Sequence, residues 1–240
     1  MSEVARIIDG AGDVLILCDH ASNAVPDDID LGIDPALLNK HIAIDIGAAA
    51  VSEGLAADLD AAAILASVSR LVIDLNREPD SPGLIPLVSD GHDISGNAGV
   101  DRRARIARFH APYHRLIADT IRARRPALLV SVHSFTPRLE NADGAARPWE
   151  IGILYNRDAR AARIGIEHLD QAGVVTGDNE PYSGRLLNAT MNRHAEANGI
   201  PYLGIEIRND LIGDAEGVAR WAKSCSHLVS AVRHALAQGA

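Results

Sequence analysis

The stretch LILCDHASNAVP, residues 15–26, reads first as a buried strand and then as something else. From Val14 to Cys18 every residue is apolar, without the in-and-out alternation of a strand that has one wet face. Such a run fits a strand covered by helices on both sides, as in a parallel sheet. Asp19, His20, Ser22 and Asn23 follow at once. Chemistry-bearing residues placed where an α/β chain leaves its sheet are where such folds build their sites.

Working outward, similar apolar runs occur in AAAILAS, LVIDLN, ALLVSVHS, WEIGILYN and PYLGIEIR, and helical patterns separate most of them. The spacing predicts helices over residues 44–60, 101–125, 159–172, 184–198 and from 214 toward the C-terminus. Pro126, Gly173 and Gly199 stand where stop signals belong. The expectation is an α/β fold, one domain over residues 1–240, with a mostly parallel mixed sheet and helices on both faces. Residues 78–100 and 137–148 are rich in Gly, Pro, Asp and Asn and read as loops; the first is long enough to suggest a lid or binding loop.

At 240 residues and 47% apolar composition the chain can bury a large core. A formal charge of −9 argues against a nucleic-acid or anionic-membrane partner, and the basic run DRRARIARFH has the helical spacing of a solvated face. Cys18 and Cys225 lie far apart, with no signal-peptide pattern and no apolar run near the roughly eighteen residues of a membrane span. A reduced, cytoplasmic protein is expected. Cysteine-rich zinc clusters are excluded, so any metal must be held by His, Asp, Glu or Asn, and ten histidines are available.

Several expected strands end on costly residues: Asp19 and His20 after the first, His133 and Ser134 in ALLVSVHS, Glu206 and Arg208 in PYLGIEIR. Two neutral imidazoles joined by an oxygen ligand, with one position open, is how catalytic zinc is held. Such a metal lowers the pKa of its water and polarises a carbonyl, and Glu206, flanked by Ile205 and Ile207, suits the base. Plainer readings stand beside these. Each histidine could be ordinary packing, and Glu206 and Arg208 share a strand face and could form an ion pair. Asn76 and Arg77 could clamp a substrate carboxylate, or Arg77 could pair with Asp74 or Glu78.

CDHASNAVP, HIAIDIGA, SRLVIDLNREP, GNAGV, PYHRLI, VSVHSFTP, NEPYSG and YLGIEIRNDL occur in this order between residues 15 and 211. In them the chain resembles the N-formylglutamate amidohydrolase family, itself similar in fold to zinc carboxypeptidases and the aspartoacylase group. The resemblance implies a phosphorylase/hydrolase-like fold and zinc-dependent hydrolysis of the amide of a small N-acyl amino acid such as N-formyl-L-glutamate. It supports His20 and His133 as ligands of one zinc ion, Arg77 with Asn76 as the carboxylate clamp, and Glu206 as general base. Where the carboxypeptidase pattern has a glutamate three residues after the first histidine, this chain has Asn23. We expect Asp45 to supply the missing carboxylate, with Asn23 at the metal site orienting a ligand or water; the alternative for Asp45 is a helix-start acid.

His114 in HAPYH is a candidate substrate or supporting contact, since no glutamate follows His110 to make a metalloprotease helix. Tyr182 could close over the substrate from a loop, and His41 and Asn97 are site-loop residues. His92, His168, His194, His227 and His234 read as surface or packing residues. Two readings compete with a zinc hydrolase: a metal-poor relative that binds a small acidic ligand, motivated by Asn23, and a Cys18 nucleophile with His20 as its base.

Overall fold

The computed structural model describes residues 4–140 and 146–239; residues 141–145 of the expected 137–148 loop lie outside the described residues. The opening stretch forms β2 (Val14–Cys18), buried along its whole length. It lies inside a seven-stranded sheet ordered β1-β3-β2-β6-β9-β7-β8 among the described residues. The other strands are β1 (Ala5–Ile8), β3 (Ala62–Ala66), β6 (Leu128–Phe135), β7 (Ile151–Leu154), β8 (Thr176–Asp178) and β9 (Tyr202–Arg208). The inner strands β3, β2, β6 and β9 run parallel. Antiparallel β1 and the β7–β9 pairing make the sheet mixed.

The helices are α1 (Ala48–Leu59), α2 (Arg102–Arg105), α3 (Ala111–Arg124), α4 (Arg160–Gln171), α5 (Ala189–His194) and α6 (Ala215–Gln238). Helix α6 packs on α1 and α4, which rest on the central strands, while α3 meets α5. Leu15, Ile16, Leu17, Leu129, Val130, Leu203 and Ile205 are fully buried between these layers. Each such side chain stabilises the fold by about 1.5–3 kcal/mol relative to exposure. The rigid sheet edge where β2, β6 and β9 end is therefore well anchored.

Four expectations about elements need correction. LVIDLN is buried as a strand would be, yet residues 71–76 form turns with no ladder partner. The local side chains provide the alternative: Ser69 Oγ accepts from Leu71 N at 3.2 Å and Asp74 Oδ1 from Asn76 N at 3.0 Å. The helix expected from residue 44 begins at Ala48, because Gly47 sits at φ 79° and breaks the helical path. The helix expected over 184–198 shrinks to α5 and a short turn Glu196–Asn198. Within the 78–100 loop a small hairpin forms, β4 (Val88–Ser89) against β5 (His92–Asp93).

Candidate metal centre and active site

His20 lies just past β2, His133 within β6 and Glu206 within β9, and the last two are register partners on neighbouring strands. Asp45 arrives from the turn before α1; its amide donates to the His20 carbonyl at 3.1 Å, and its own carbonyl accepts from Ala48 N at 3.1 Å. The Asp45 side chain then reaches between the histidines. Its Oδ2 lies 2.8 Å from His133 Nδ1 and 3.3 Å from His20 Nδ1. All three residues are buried, and their ligand-type atoms lie within 4.8 Å of one another.

The outer ring nitrogens face carboxylates as well. His20 Nε2 is 2.8 Å from Asp74 Oδ1, and His133 Nε2 is 3.6 Å from Asp19 Oδ2. Those carboxylates are held in turn, since the Tyr113 hydroxyl donates to Asp19 Oδ1 at 2.6 Å and Arg70 donates to Asp74 Oδ2 at 2.9 Å. Arg70 also donates to Asp45 Oδ1 at 3.0 Å. A far nitrogen held by a buried carboxylate, as His20 Nε2 is by Asp74, orients an imidazole as metal ligands are oriented, with its Nδ1 turned toward Asp45 and the other histidine.

Electrostatics fit this arrangement. Burial disfavours the Asp45 carboxylate, but His20, His133 and Arg70 outweigh it and hold the group well below its ordinary range. Asp74 is pushed down against burial by Arg70 and His20, and Asp19 falls to about 2 against burial through His133. Glu206 moves the other way, up to about 7: burial is the main cause and Asp45 adds to it, against the pull of His133. Its Oε2 is buried with no hydrogen-bond partner among the described residues, as is His133 Nε2. Two imidazoles and a carboxylate converging beside an unpartnered acid fit a divalent metal ion as donor set and as charge.

A cavity of about 480 Å³ opens over this cluster, lined also by Arg70, Asn76, Arg77, Tyr182 and Glu206. Arg77 keeps only a loose approach to Asp74, 3.6 Å from Nε to Oδ2. Asn76 accepts from Thr190 N at 3.0 Å through its Oδ1. Tyr182 accepts from Arg147 at 3.2 Å, with the guanidinium 5.0 Å from its ring centre. Gly152, opposite Glu206 in the β7–β9 pairing, lets the loop that carries Tyr182 come close: a Cβ there would meet the Glu180 carbonyl at 2.2 Å.

Other candidates fall elsewhere. Asn23 donates to Asn39 at 3.1 Å and is outside the cavity lining and the metal cluster, because the chain turns away through Ser22 and Ala24. His114 sits behind the Leu75 backbone rather than in the cavity wall. Arg208 pairs with Asp210, so it leaves Glu206 without the ion pair the strand spacing allowed. Cys18 is fully buried and its thiol is pushed far up by that burial, which removes the thiolate a nucleophile requires. His41 lines the cavity, paired with Asp90, and Asn97 serves as a brace, donating to the Leu71 and Pro86 carbonyls. Arg70 was not singled out from sequence, while Asp19 stood out only as a strand-end residue and Asp74 only as a possible partner of Arg77; the i, i+4 spacing of Arg70 and Asp74 was a further signal, in a run that reads as a strand.

A mixed α/β sheet thus gathers two buried histidines, a carboxylate and the acid Glu206 at the edge where its parallel strands end, the place where α/β proteins of this class bind their ligands. The family model for N-formylglutamate amidohydrolase matches residues 12–213, and the chain belongs to that family. Among solved structures, the gene product Atu2144 from Agrobacterium tumefaciens is similar at 33% identity, with a TM-score of 0.92 over 97% of this chain and 96% of that one. N-formylglutamate amidohydrolase from Ralstonia eutropha JMP134 shares the fold at 19% identity, TM-score 0.70, over 99% of this chain and 100% of its own. No curated protein matches the chain. No helix among the described residues is long and apolar enough to cross a membrane.

Proposed function

We propose that the protein is a zinc-dependent amidohydrolase that cleaves the N-acyl amide of an acidic amino acid, with N-formyl-L-glutamate as the leading substrate, giving formate and the free amino acid. The observation that carries this reading is the convergence of His20, Asp45 and His133 beside an unpartnered, buried Glu206. His20, Asp45 and His133 would hold the zinc. When bound, the ion supplies a Lewis-acid charge that polarises a carbonyl and acidifies water.

The chain's own residues do the rest. Arg77, loosely engaged by Asp74, anchors a substrate carboxylate, and the Asn76 amide nitrogen, which has no partner among the described residues, donates beside it. Arg70 is fixed between Asp45 and Asp74 and still lines the cavity, so its guanidinium offers preorganised positive charge to the oxygen that becomes negative during attack. Glu206 takes the proton of the attacking water and returns it to the leaving amine nitrogen. Burial, which raises the pKa of its carboxyl, suits a group that must do both. Asp45 beside the two histidines also weakens the motive for a binding-only relative, since it offers the charge that Asn23 lacks.

Formate release from N-formyl-L-glutamate by the wild type and by Glu206→Gln tests the reading. We expect the variant to keep its metal and lose roughly a hundredfold or more in kcat. Near-normal turnover would require another base and would overturn the role of Glu206.

A further inference from the structure

Three buried histidines outside the metal cluster remain without a role. His110 and His114 lie with ring centroids 4.2 Å apart at the start of α3, and His194, the last residue of α5, stacks on His114 at 5.1 Å with an interplanar angle of 14°. The contacts fix which nitrogens carry hydrogen. His114 Nε2 lies 3.0 Å from the Leu75 carbonyl and His110 Nε2 lies 3.0 Å from the Arg77 carbonyl. A carbonyl only accepts, so both Nε2 atoms donate. His114 Nδ1 must then accept across the 2.8 Å contact to His194, whose Nε2 donates. Burial is the first cause of the low pKa of each ring, pushing His114 to about 3 and His194 to about 4, so the chain is neutral near pH 7 and the tautomers persist.

The backbone this relay grips is the segment that the sequence read as a strand. Residues 75–77 have no ladder partner among the described residues, and they carry Asn76 and Arg77 into the cavity. Leu75 is held by His114, Arg77 by His110, and the Asn76 side chain by Thr190 N at the start of α5. A short π turn, Ile106–His110, leads into α3 and delivers His110 to its carbonyl. We propose that His194, His114 and His110 are positioning residues: neutral imidazoles that stand in for a β-ladder, His194 fixing His114 on the Leu75 carbonyl and His110 holding the Arg77 carbonyl, and that together set the reach of Arg77 toward the substrate carboxylate. The proposal rests on Arg77 as the carboxylate anchor.

The experiment is a double-mutant cycle on the full chain. His114→Phe and His194→Phe keep a ring and remove a donor, while His114→Gln and His194→Gln retain a side-chain N–H. With N-formyl-L-glutamate as substrate, each Phe variant is expected to raise KM about tenfold, the worth of one buried hydrogen bond, with kcat changed far less. The Gln variants should recover most of the loss, and zinc content should not change. In an Arg77→Ala background, the same His→Phe changes should no longer move KM. Equal fold-changes in KM with and without Arg77, or a loss of kcat and zinc together, would mean the histidines only stabilise the fold and would overturn the proposal. An Arg77→Ala protein with unchanged KM would instead overturn the anchor on which it rests. Nitrogen NMR of the histidine rings reads the relay directly even if a variant does not fold or turnover is absent. The wild type should show His110, His114 and His194 as neutral Nε2–H tautomers at pH 7, and a charged ring or an Nδ1–H tautomer at His114 would contradict it.

Discussion

Glu206 shows how a single residue's surroundings set its chemistry. Strand β9 places it between Ile205 and Ile207, both fully buried, and its Oε2 has no hydrogen-bond partner among the described residues. In the proposed role its ionised form is the base. With the pKa raised to about 7, chiefly by burial, the active form is populated above that value and lost as pH falls through it. We therefore predict that kcat/KM falls on the acid side with a limb at about 7 or lower, since a bound cation moves it down, and that Glu206→Gln removes this limb from the pH–rate profile. His20, His133 and Glu206 were legible in sequence because each interrupts an apolar run at a cost that a site explains. Arg70 and Asp74 were not legible as site residues, because their meaning lies in tertiary contacts: Arg70 reaches Asp45 from a different segment, and Asp74 matters through His20. Asn23, expected to orient a ligand or water at the metal site, instead donates to Asn39.

At the level of elements, burial was easier to read than hydrogen bonding. The core strands β2, β3, β6, β7 and β9 follow from apolar runs, but LVIDLN is equally apolar and its backbone is met by the side chains of Ser69, Asp74, Asn97, Arg105 and His114. Edge strands β1 and β8 are four and three residues long and mixed in polarity, too short to carry a period. Helix starts depend on conformations that composition does not announce. Gly47 is the example: it sits at φ 79°, and a Cβ would meet the Ile212 carbonyl at 2.3 Å. Gly47→Ala should cost about 1–3 kcal/mol in denaturant unfolding and weaken zinc binding, since Asp45 lies two residues away; unchanged values would show that the turn tolerates the side chain. The α3–α5 contact predicts a pH effect with a definite sign. His114 binds a proton near pH 6.5 when unfolded but only near 3 when folded, so its contribution is whole above 6.5 and is lost as pH falls toward 3. The slope is at most about 1.4 kcal/mol per pH unit from this residue. Urea titrations at pH 7 and 5 should show a smaller loss for His114→Gln than for the wild type, and equal losses would exclude the buried neutral ring as the cause.

For the whole molecule, the fold is a device for bringing distant segments to one edge. Adjacent parallel strands deliver His20, His133 and Glu206, and the turn before α1 inserts Asp45 between the two histidines. A cluster so assembled exists only in the folded state, so a metal that binds it must stabilise the fold by mass action. Zinc at about a hundred times its Kd is predicted to add about 2.7 kcal/mol and to raise Tm by roughly 5–10 °C, and Asp45→Ala should abolish most of that gain. A gain of the same size in Asp45→Ala would place the ion elsewhere. The central claim is that this edge is a metal-dependent amidohydrolase site. Its most direct test is elemental analysis of the purified protein together with formate release from N-formyl-L-glutamate before chelation, after it, and after zinc is restored. The account predicts about one zinc per chain, turnover lost on chelation and recovered with zinc. Formate release that persists in metal-free protein would contradict it.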